Sequence, residues 1–240
     1  VEDGDWWVIN GSKCFITNAS YARFVTITAV TDRALGKRGI SNFIVPTDAP
    51  GFTIRATYEK MGLHGSNTTE LFFDNVRVPK ENLLGERNKG FKQFLQVLDG
   101  GRIAIAAMAV GIAQACLDAA LAYARERVQF GQPIARFQAI SFKLADMATN
   151  IELARTMYLK AAWLKDQGRP VTKEAAMVKV FASEMATRAA LDAIQIHGGY
   201  GYMKEFPVER YLRDAKLLEI GEGTSEINRL VIARAIGCYL

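Results

Sequence analysis

The stretch Glu219-Ile-Gly-Glu-Gly-Thr-Ser-Glu-Ile-Asn-Arg-Leu-Val-Ile-Ala-Arg234 carries the strongest local signals in this 240-residue chain. Glycines on both sides of Glu222 allow the backbone to turn sharply and to approach a ligand closely. Thr224 or Ser225 can cap a helix, and the apolar residues that follow recur at helical spacing. The stretch predicts a carboxylate on a turn just before a helix, which suits a general base held by a rigid element. A solvated acid at a helix start gives the same pattern, and the residues alone leave that alternative open.

Residues 89–240 predict long helices joined by short breaks. Apolar residues at helical spacing indicate helices over 91–127, 137–167 and 172–196, with Thr172 as the N-cap of the third. A short segment, 208–215, leads to the last helix from Thr224. The pair Gly100-Gly101 is a weak point inside the first helix. This spacing predicts an antiparallel four-helix bundle.

Residues 1–84 predict strands and turns instead. Asn10-Gly11 is a hairpin signal that would join strands at 6–9 and 13–17. Further strands are expected at 24–30, 40–45, 52–55, 70–73 and 76–78, with a charged loop at 32–39. The fold class is therefore α+β and mainly α, with a partial antiparallel β-barrel or sandwich before the helical bundle.

Composition and charge exclude several classes of protein. The net charge of +5 is spread along the chain without a basic block, which argues against nucleic-acid binding. Three distant cysteines and two histidines predict no disulfide framework, no metal site and a reducing compartment. The longest apolar run, residues 103–113, is shorter than the ~20 residues that span a bilayer, so a soluble protein without membrane insertion is expected.

Glu222-Gly-Thr-Ser-Glu226 followed by Arg229-Leu-Val-Ile-Ala-Arg234 resembles the C-terminal signature of the acyl-CoA dehydrogenases, especially the short-chain (butyryl-CoA) branch. Further motifs of that family follow in order over essentially the whole chain. The resemblance implies FAD-dependent α,β-dehydrogenation of a short-chain acyl-CoA to the trans-2-enoyl-CoA. Glu222 would remove the α-proton, and FAD would accept the hydride. It also implies that a helical N-terminal domain and the first part of the β domain are not in this sequence. We therefore expect the sequence to be the C-terminal portion of a longer protein.

The resemblance also implies which residues bind the cofactor and the substrate. The expected FAD-binding residues are Phe15, Ile16, Thr17, Arg127, Phe130, Gln138, Gln195, Ile196, Gly198, Gly199, Thr224, Ser225 and Glu226. The expected substrate-binding residues are Leu98, Asp99, Arg102 and Gly223. Without the resemblance, these motifs are explained by a strand edge, a helix start with a compensating Arg, and glycines that end helices.

Partners and alternatives follow from the same resemblance. It implies an electron-transfer flavoprotein as electron acceptor, a homotetramer, and a location in the bacterial cytoplasm or the mitochondrial matrix. Many members have Tyr directly before the catalytic Glu where this chain has Gly221, so the pocket beside the thioester is expected to be wider. The alternatives are an acyl-CoA oxidase, another flavin enzyme of the same fold, and an inactive helical oligomerisation fragment. A flavin monooxygenase of this superfamily is expected to lack the base.

Overall fold

The chain forms two units in the computed structural model. The first contains strands with alternating apolar residues, and the second contains helices with apolar residues at helical spacing. The structure describes residues 1–55 and 57–239, and the units are Val1–Val97 and Leu98–Leu240. The predicted fold class is confirmed: antiparallel sheets are followed by helices. The division between the units falls inside the first helix, and the predicted domain boundary at residues 84–89 stays a prediction.

The first unit contains two antiparallel sheets. Its strands are β1 (Glu2–Asp3), β2 (Trp6–Thr17), β3 (Phe24–Val30), β4 (Ile40–Pro46), β5 (Phe52–Ile54), β6 (Thr68–Pro79) and β7 (Leu83–Leu84). One sheet has the order β1-β2-β6-β5 and the other β3-β4-β7. Apolar side chains of both sheets share one core, in which the rings of Trp7 and Phe43 meet edge to face at 5.3 Å. The pairing fits the sandwich form of the predicted β fold.

The predicted hairpin at Asn10-Gly11 is wrong. The chain continues through it as one strand, β2, whose register with β6 shifts between Ile9 and Gly11. Asn10 Oδ1 accepts a hydrogen bond of 2.8 Å from the backbone N–H of Asn75, which lies at a positive φ of 50° in β6. The two segments predicted as separate strands at 70–73 and 76–78 are therefore one strand. Because β2 pairs with the distant strand β6 along this whole stretch, Asn10-Gly11 forms a β-bulge and not a hairpin turn.

The second unit is built from helices. These are α1 (Gly90–Glu126), which begins in the first unit, α2 (Gln138–Asp166), α3 (Thr172–His197), α4 (Val208–Leu218) and α5 (Ser225–Ala235). A two-strand hairpin, β8 (Val128–Gln129) with β9 (Gln132–Pro133), connects α1 to α2. Thr172 is not the N-cap of α3, because Val171 takes that position and the Thr172 hydroxyl donates to Asp99 Oδ2 at 2.5 Å. Gly100-Gly101 does not interrupt α1.

Small side chains form the buried side of α1. Ala106, Ala109, Ala113, Ala120 and Ala124 are buried at helical spacing within the core cluster of the helical unit. By length and composition, α1 is the one helix in the described part of the chain that could cross a membrane, a test that core helices of soluble proteins also pass. Its buried stripe is what a core helix requires.

Candidate active site

A turn between α4 and α5 presents Glu222. Glu222 itself lies at a positive φ of 56° and Gly223 at 91°, so the backbone passes through the left-handed region twice in succession. Thr224 ends the turn as the N-cap of α5, and its hydroxyl accepts a hydrogen bond of 3.3 Å from the N–H of Ile227. The predicted glycine-flanked turn before a helix is therefore present, with a conformation that is costly for a non-glycine residue.

The carboxylate of Glu222 lies against Gly101 of α1. A Cβ atom on Gly101 would overlap Oε2 of Glu222 and would lie 2.7 Å from its Cδ. A Cβ on the neighbouring Gly100 would overlap the ammonium of Lys165. The two glycines thus make room for side chains from outside α1, a role that sequence reasoning missed. Glycine in a helix interior costs about 1 kcal/mol relative to Ala, and this cost was the available signal.

Two fully buried side chains hold the Glu222 turn, and sequence reasoning missed both. Lys179 of α3 donates to the carbonyl oxygens of Glu219 and Gly223, at 3.0 and 2.7 Å. Asn228 of α5 donates to the carbonyl of Gly223 at 2.8 Å. Burial lowers the pKa of Lys179 to about 8. A lysine in phase with the apolar stripe of α3 was the signal that could have revealed it.

The predicted substrate residues lie on α1 beside Gly101. Arg102 is 4% exposed and donates to Asp99 at 3.0 Å, while Leu98 is half-buried. The Nε atom of Arg102 is buried and has no hydrogen-bond partner within the described ranges 1–55 and 57–239. Leu98, Asp99 and Arg102 thus lie within three residues of Gly101, which contacts the Glu222 carboxylate, and Arg102 has one buried donor still available.

A cavity of about 480 Å³ forms a second cluster, where α1 and α3 end. Of the predicted cofactor residues it is lined by Arg127, Ile196, Gly198 and Gly199. Each of the two glycines has open space where a Cβ would lie, so a ligand can approach their backbone closely. The exposed guanidinium of Arg127 can pair with a phosphate. These residues can therefore pair with a phosphate group and let it approach the backbone closely.

Aromatic rings complete the same cluster. The imidazole of His197 stacks on Tyr123 with 4.3 Å between ring centroids, and its Nδ1 bonds to the carbonyl of Ala193 at 2.8 Å. Burial lowers the pKa of His197, which favours the neutral ring. His197 is thus packed as a neutral ring against Tyr123 and Phe206.

Other predicted cofactor residues of the helical unit are exposed outside that cavity. Phe130, at a positive φ of 52°, lies at the tip of the β8–β9 hairpin and is 92% exposed. Gln138, the first residue of α2, and Gln195 are exposed as well. Such an open aromatic side chain suits a ligand or a second subunit that covers it.

The start of α5 contributes three predicted cofactor residues with different environments. Thr224 caps the helix, while Ser225 is 5% exposed and its hydroxyl has no hydrogen-bond partner among the residues that the structure describes. Glu226 is exposed, and its own backbone N–H and the Thr224 hydroxyl lower the pKa of its carboxyl.

Across the described chain, no three His, Cys, Asp or Glu side chains are placed to hold a metal ion.

Phe15, Ile16 and Thr17 belong to the first unit. The β2–β6 register shifts between Lys13 and Ile16, and Phe15 lies at a positive φ of 56° within this irregularity. Its ring is 71% exposed and stacks on Tyr58 at 5.1 Å. A bulge that turns an aromatic side chain out of the sheet is a common way to present it to a ligand.

Comparison with known proteins identifies relatives of both units. Residues 1–76 match the family model "Acyl-CoA dehydrogenase, middle domain" and residues 88–237 match "Acyl-CoA dehydrogenase, C-terminal domain". The chain is 70% identical, over 98% of its length, to the probable acyl-CoA dehydrogenase YngJ of Bacillus subtilis. It covers 62% of that relative.

Two solved structures resemble the chain closely. Butyryl-CoA dehydrogenase from Megasphaera elsdenii superposes with a TM-score of 0.96 and 49% identity, over 98% of this chain and 62% of that one. A structure described as the electron transferring flavoprotein of Acidaminococcus fermentans gives a TM-score of 0.97 and 49% identity, over the same shares. The chain thus spans about three fifths of the length of the relatives that it matches.

Proposed function

The chain belongs to the acyl-CoA dehydrogenase family, and from this premise we propose that it forms part of an enzyme that converts a short-chain acyl-CoA to the trans-2-enoyl-CoA. Glu222 is the base that removes the α-proton of the substrate. The short-chain preference is supported by the likeness to butyryl-CoA dehydrogenase. Gly221 leaves room beside the base. A Cβ atom added at this position would make only an ordinary contact, at 3.5 Å, with the carbonyl oxygen of Leu217.

The observation that carries the proposal is the carboxylate of Glu222 held over Gly101. A general base must be placed within hydrogen-bond reach of the proton that it takes, and a misplacement of 1 Å can cost about a hundredfold in rate. Buried donors restrain the backbone on both sides of Glu222, which supports a carboxylate held in one position. The half-buried carboxylate remains open to a ligand.

The proposed cofactor is FAD, which supplies a hydride acceptor when it is bound. Arg127 would meet the pyrophosphate of an FAD on a neighbouring subunit, and Phe130 and Gln138 would pack on its adenosine side. The segment with Gln195, Ile196, Gly198 and Gly199 would approach a phosphate or the adenine. Phe15, Ile16 and Thr17 would flank the ring system, while Thr224, Ser225 and Glu226 would add the start of α5. The acyl thioester would be oriented by Leu98, Asp99, Arg102 and Gly223. The backbone N–H of Glu222 would polarise the thioester carbonyl.

The proposed assembly is a homotetramer that passes electrons to an electron-transfer flavoprotein. Exposed apolar residues in the helical unit support a subunit interface: Phe130, Phe142, Leu153, Leu159, Trp163 and Leu191 are each more than half exposed. A chain similar to this one occurs in a structure whose description names an electron transferring flavoprotein, which supports a flavoprotein of that kind as the acceptor. We place the enzyme in the bacterial cytoplasm or the mitochondrial matrix.

Flavin bleaching in the full-length protein tests this proposal. Anaerobic butyryl-CoA should reduce the bound flavin, and Glu222→Gln should slow the reduction by about a hundredfold or more while flavin content is unchanged. Glu152→Gln is the matched control, because this side chain on α2 is 72% exposed and remote from the site residues in sequence. Wild-type reduction rates in Glu222→Gln would refute the role of Glu222. Rapid reoxidation by oxygen alone would favour the oxidase alternative.

A further inference from the structure

Lys179 is a charged side chain in an apolar place. It is fully buried on the face of α3 that also contributes Ala175, Ala182 and Ala186 to the core. Burying an ammonium is costly, and even buried ion pairs can often be replaced by apolar side chains of similar volume without loss of stability. Stability alone therefore gives no reason for a lysine at this position.

The hydrogen bonds of Lys179 show what the buried charge contacts. Its Nζ donates to the carbonyl of Glu219 at 3.0 Å and to the carbonyl of Gly223 at 2.7 Å. These carbonyls lie three residues before and one residue after Glu222. The N–H of Ser225 also donates to the Glu219 carbonyl, at 3.0 Å, which closes the turn. One ammonium thus ties both ends of the segment that carries the carboxylate.

The backbone of Glu222 needs such restraint. A non-glycine residue at a φ of 56° persists only when its surroundings determine its conformation from several sides. Asn228 provides a second restraint, since its Nδ2 donates to the carbonyls of Gly223 and Thr224 at 2.8 and 3.0 Å. Lys179 reaches across from α3 to carbonyls on both sides of Glu222, and so it fixes the turn relative to a separate helix.

We propose that Lys179 is a positioning residue for Glu222, which acts by clamping the carbonyls of Glu219 and Gly223 so that the carboxylate stays over Gly101. This inference rests on the proposed role of Glu222 as base. Lys179 acts through the backbone of the turn and does not contact the Glu222 carboxylate in the hydrogen bonds described above. Loss of the clamp should therefore slow proton removal more than it weakens the binding of substrate or flavin.

The test compares Lys179→Met with Lys179→Gln in the full-length flavoprotein. Met matches the apolar volume but donates no hydrogen bond, whereas Gln keeps an amide donor. We expect Lys179→Met to keep its flavin, with KM within about threefold of wild type and kcat lower by about tenfold or more. Substrate deuterated at the α-carbon should show a larger kinetic isotope effect, because proton removal becomes slower. Lys179→Gln should recover part of the lost kcat.

A control lysine and the Glu222→Gln variant distinguish failure of this inference from failure of the proposed function. Lys143→Met removes an ion pair with Asp192 between α2 and α3, and it should leave all these quantities at wild-type values. If Lys179→Met does not fold, the kcat and isotope effect of Lys179→Gln decide the question. A folded Lys179→Met with kcat within about twofold of wild type overturns the inference. Where only Lys179→Gln folds, a wild-type kcat together with a wild-type isotope effect overturns it. Wild-type turnover in Glu222→Gln would overturn the proposed function instead.

Discussion

The two regions proposed to meet the ligands are built in opposite ways. The segment at Phe15 is an exposed bulge whose backbone is held by the strand ladder, with Ile16 opposite Thr69 and Thr17 opposite Thr68. The Glu222 turn is held by buried donors from two helices. An exposed bulge can present a side chain at little cost to the fold, whereas a carboxylate fixed in position requires buried polar groups from distant parts of the chain. Substitutions should therefore have larger effects near the turn.

The largest expected effect is that of Gly101→Ala. The added Cβ would displace the end of a flexible side chain, the Glu222 carboxyl, so the fold should tolerate it while the carboxylate moves. We expect kcat to fall by about a hundredfold, with an unfolding midpoint close to that of wild type. Steady-state kinetics and thermal unfolding of the full-length protein measure both quantities.

Gly111→Ala is the matched control for this substitution. Gly111 lies in the same helix, and a Cβ there would meet no atom within 4 Å. This variant should keep full activity and gain up to about 1 kcal/mol of stability, because alanine favours the helix. Equal kinetics for the two alanine variants would contradict the close approach of Glu222 to Gly101.

The pH dependence of stability tests whether Lys179, which donates to the Glu222 turn from α3, is buried. Burial, and to a smaller extent the charge of Arg102, lowers the pKa of Lys179 from 10.5 to about 8. The carboxylates of Glu219, Glu184 and Glu226 act in the opposite direction. Between these two values the unfolded chain keeps a proton on this lysine that the folded chain has lost. Stability therefore rises with pH across this window, by about 3 kcal/mol in total.

Lys179→Met lacks this titrating group, so its comparison with wild type isolates the effect. The unfolding midpoint of wild type should rise relative to that of Lys179→Met as the pH increases from about 8 towards 10.5. Thermal unfolding of both proteins at a series of pH values measures the difference. Parallel curves for the two proteins would show that the lysine is not buried as described.

The smallest effect is expected at Phe15. Phe15→Asn loses the stacking on Tyr58, worth about 0.5–1.5 kcal/mol, but asparagine tolerates the positive φ better than phenylalanine. The two effects offset each other, so the free energy of unfolding should change by less than about 1 kcal/mol. Phe43→Ala removes a core ring that is 1% exposed and should cost about 3–5 kcal/mol. Equal losses in denaturant unfolding would contradict the description of Phe15 as an exposed bulge.

The sequence predicted the regular elements and the Glu222 turn, because both depend on local spacing. The helices at α1, α2 and α3 and the cap at Thr224 follow from periodicity and capping chemistry within a few residues. The bulge at Asn10-Gly11 and the environment of Gly101 depend on partners about sixty and about one hundred and twenty residues away. Lys179 was missed because its partners are backbone carbonyls, which have no side-chain signature in a sequence.

Hydrogen exchange at the substrate's α-carbon tests the role of Glu222 as base most directly. An acyl-CoA thioester with sulfur in place of the β-carbon has no β-hydrogen to transfer, so its α-protons can only exchange with solvent. In deuterated water the full-length enzyme should exchange them with solvent deuterium. The exchange rate of Glu222→Gln should be lower by about a hundredfold or more. Exchange in Glu222→Gln at the wild-type rate would contradict the account.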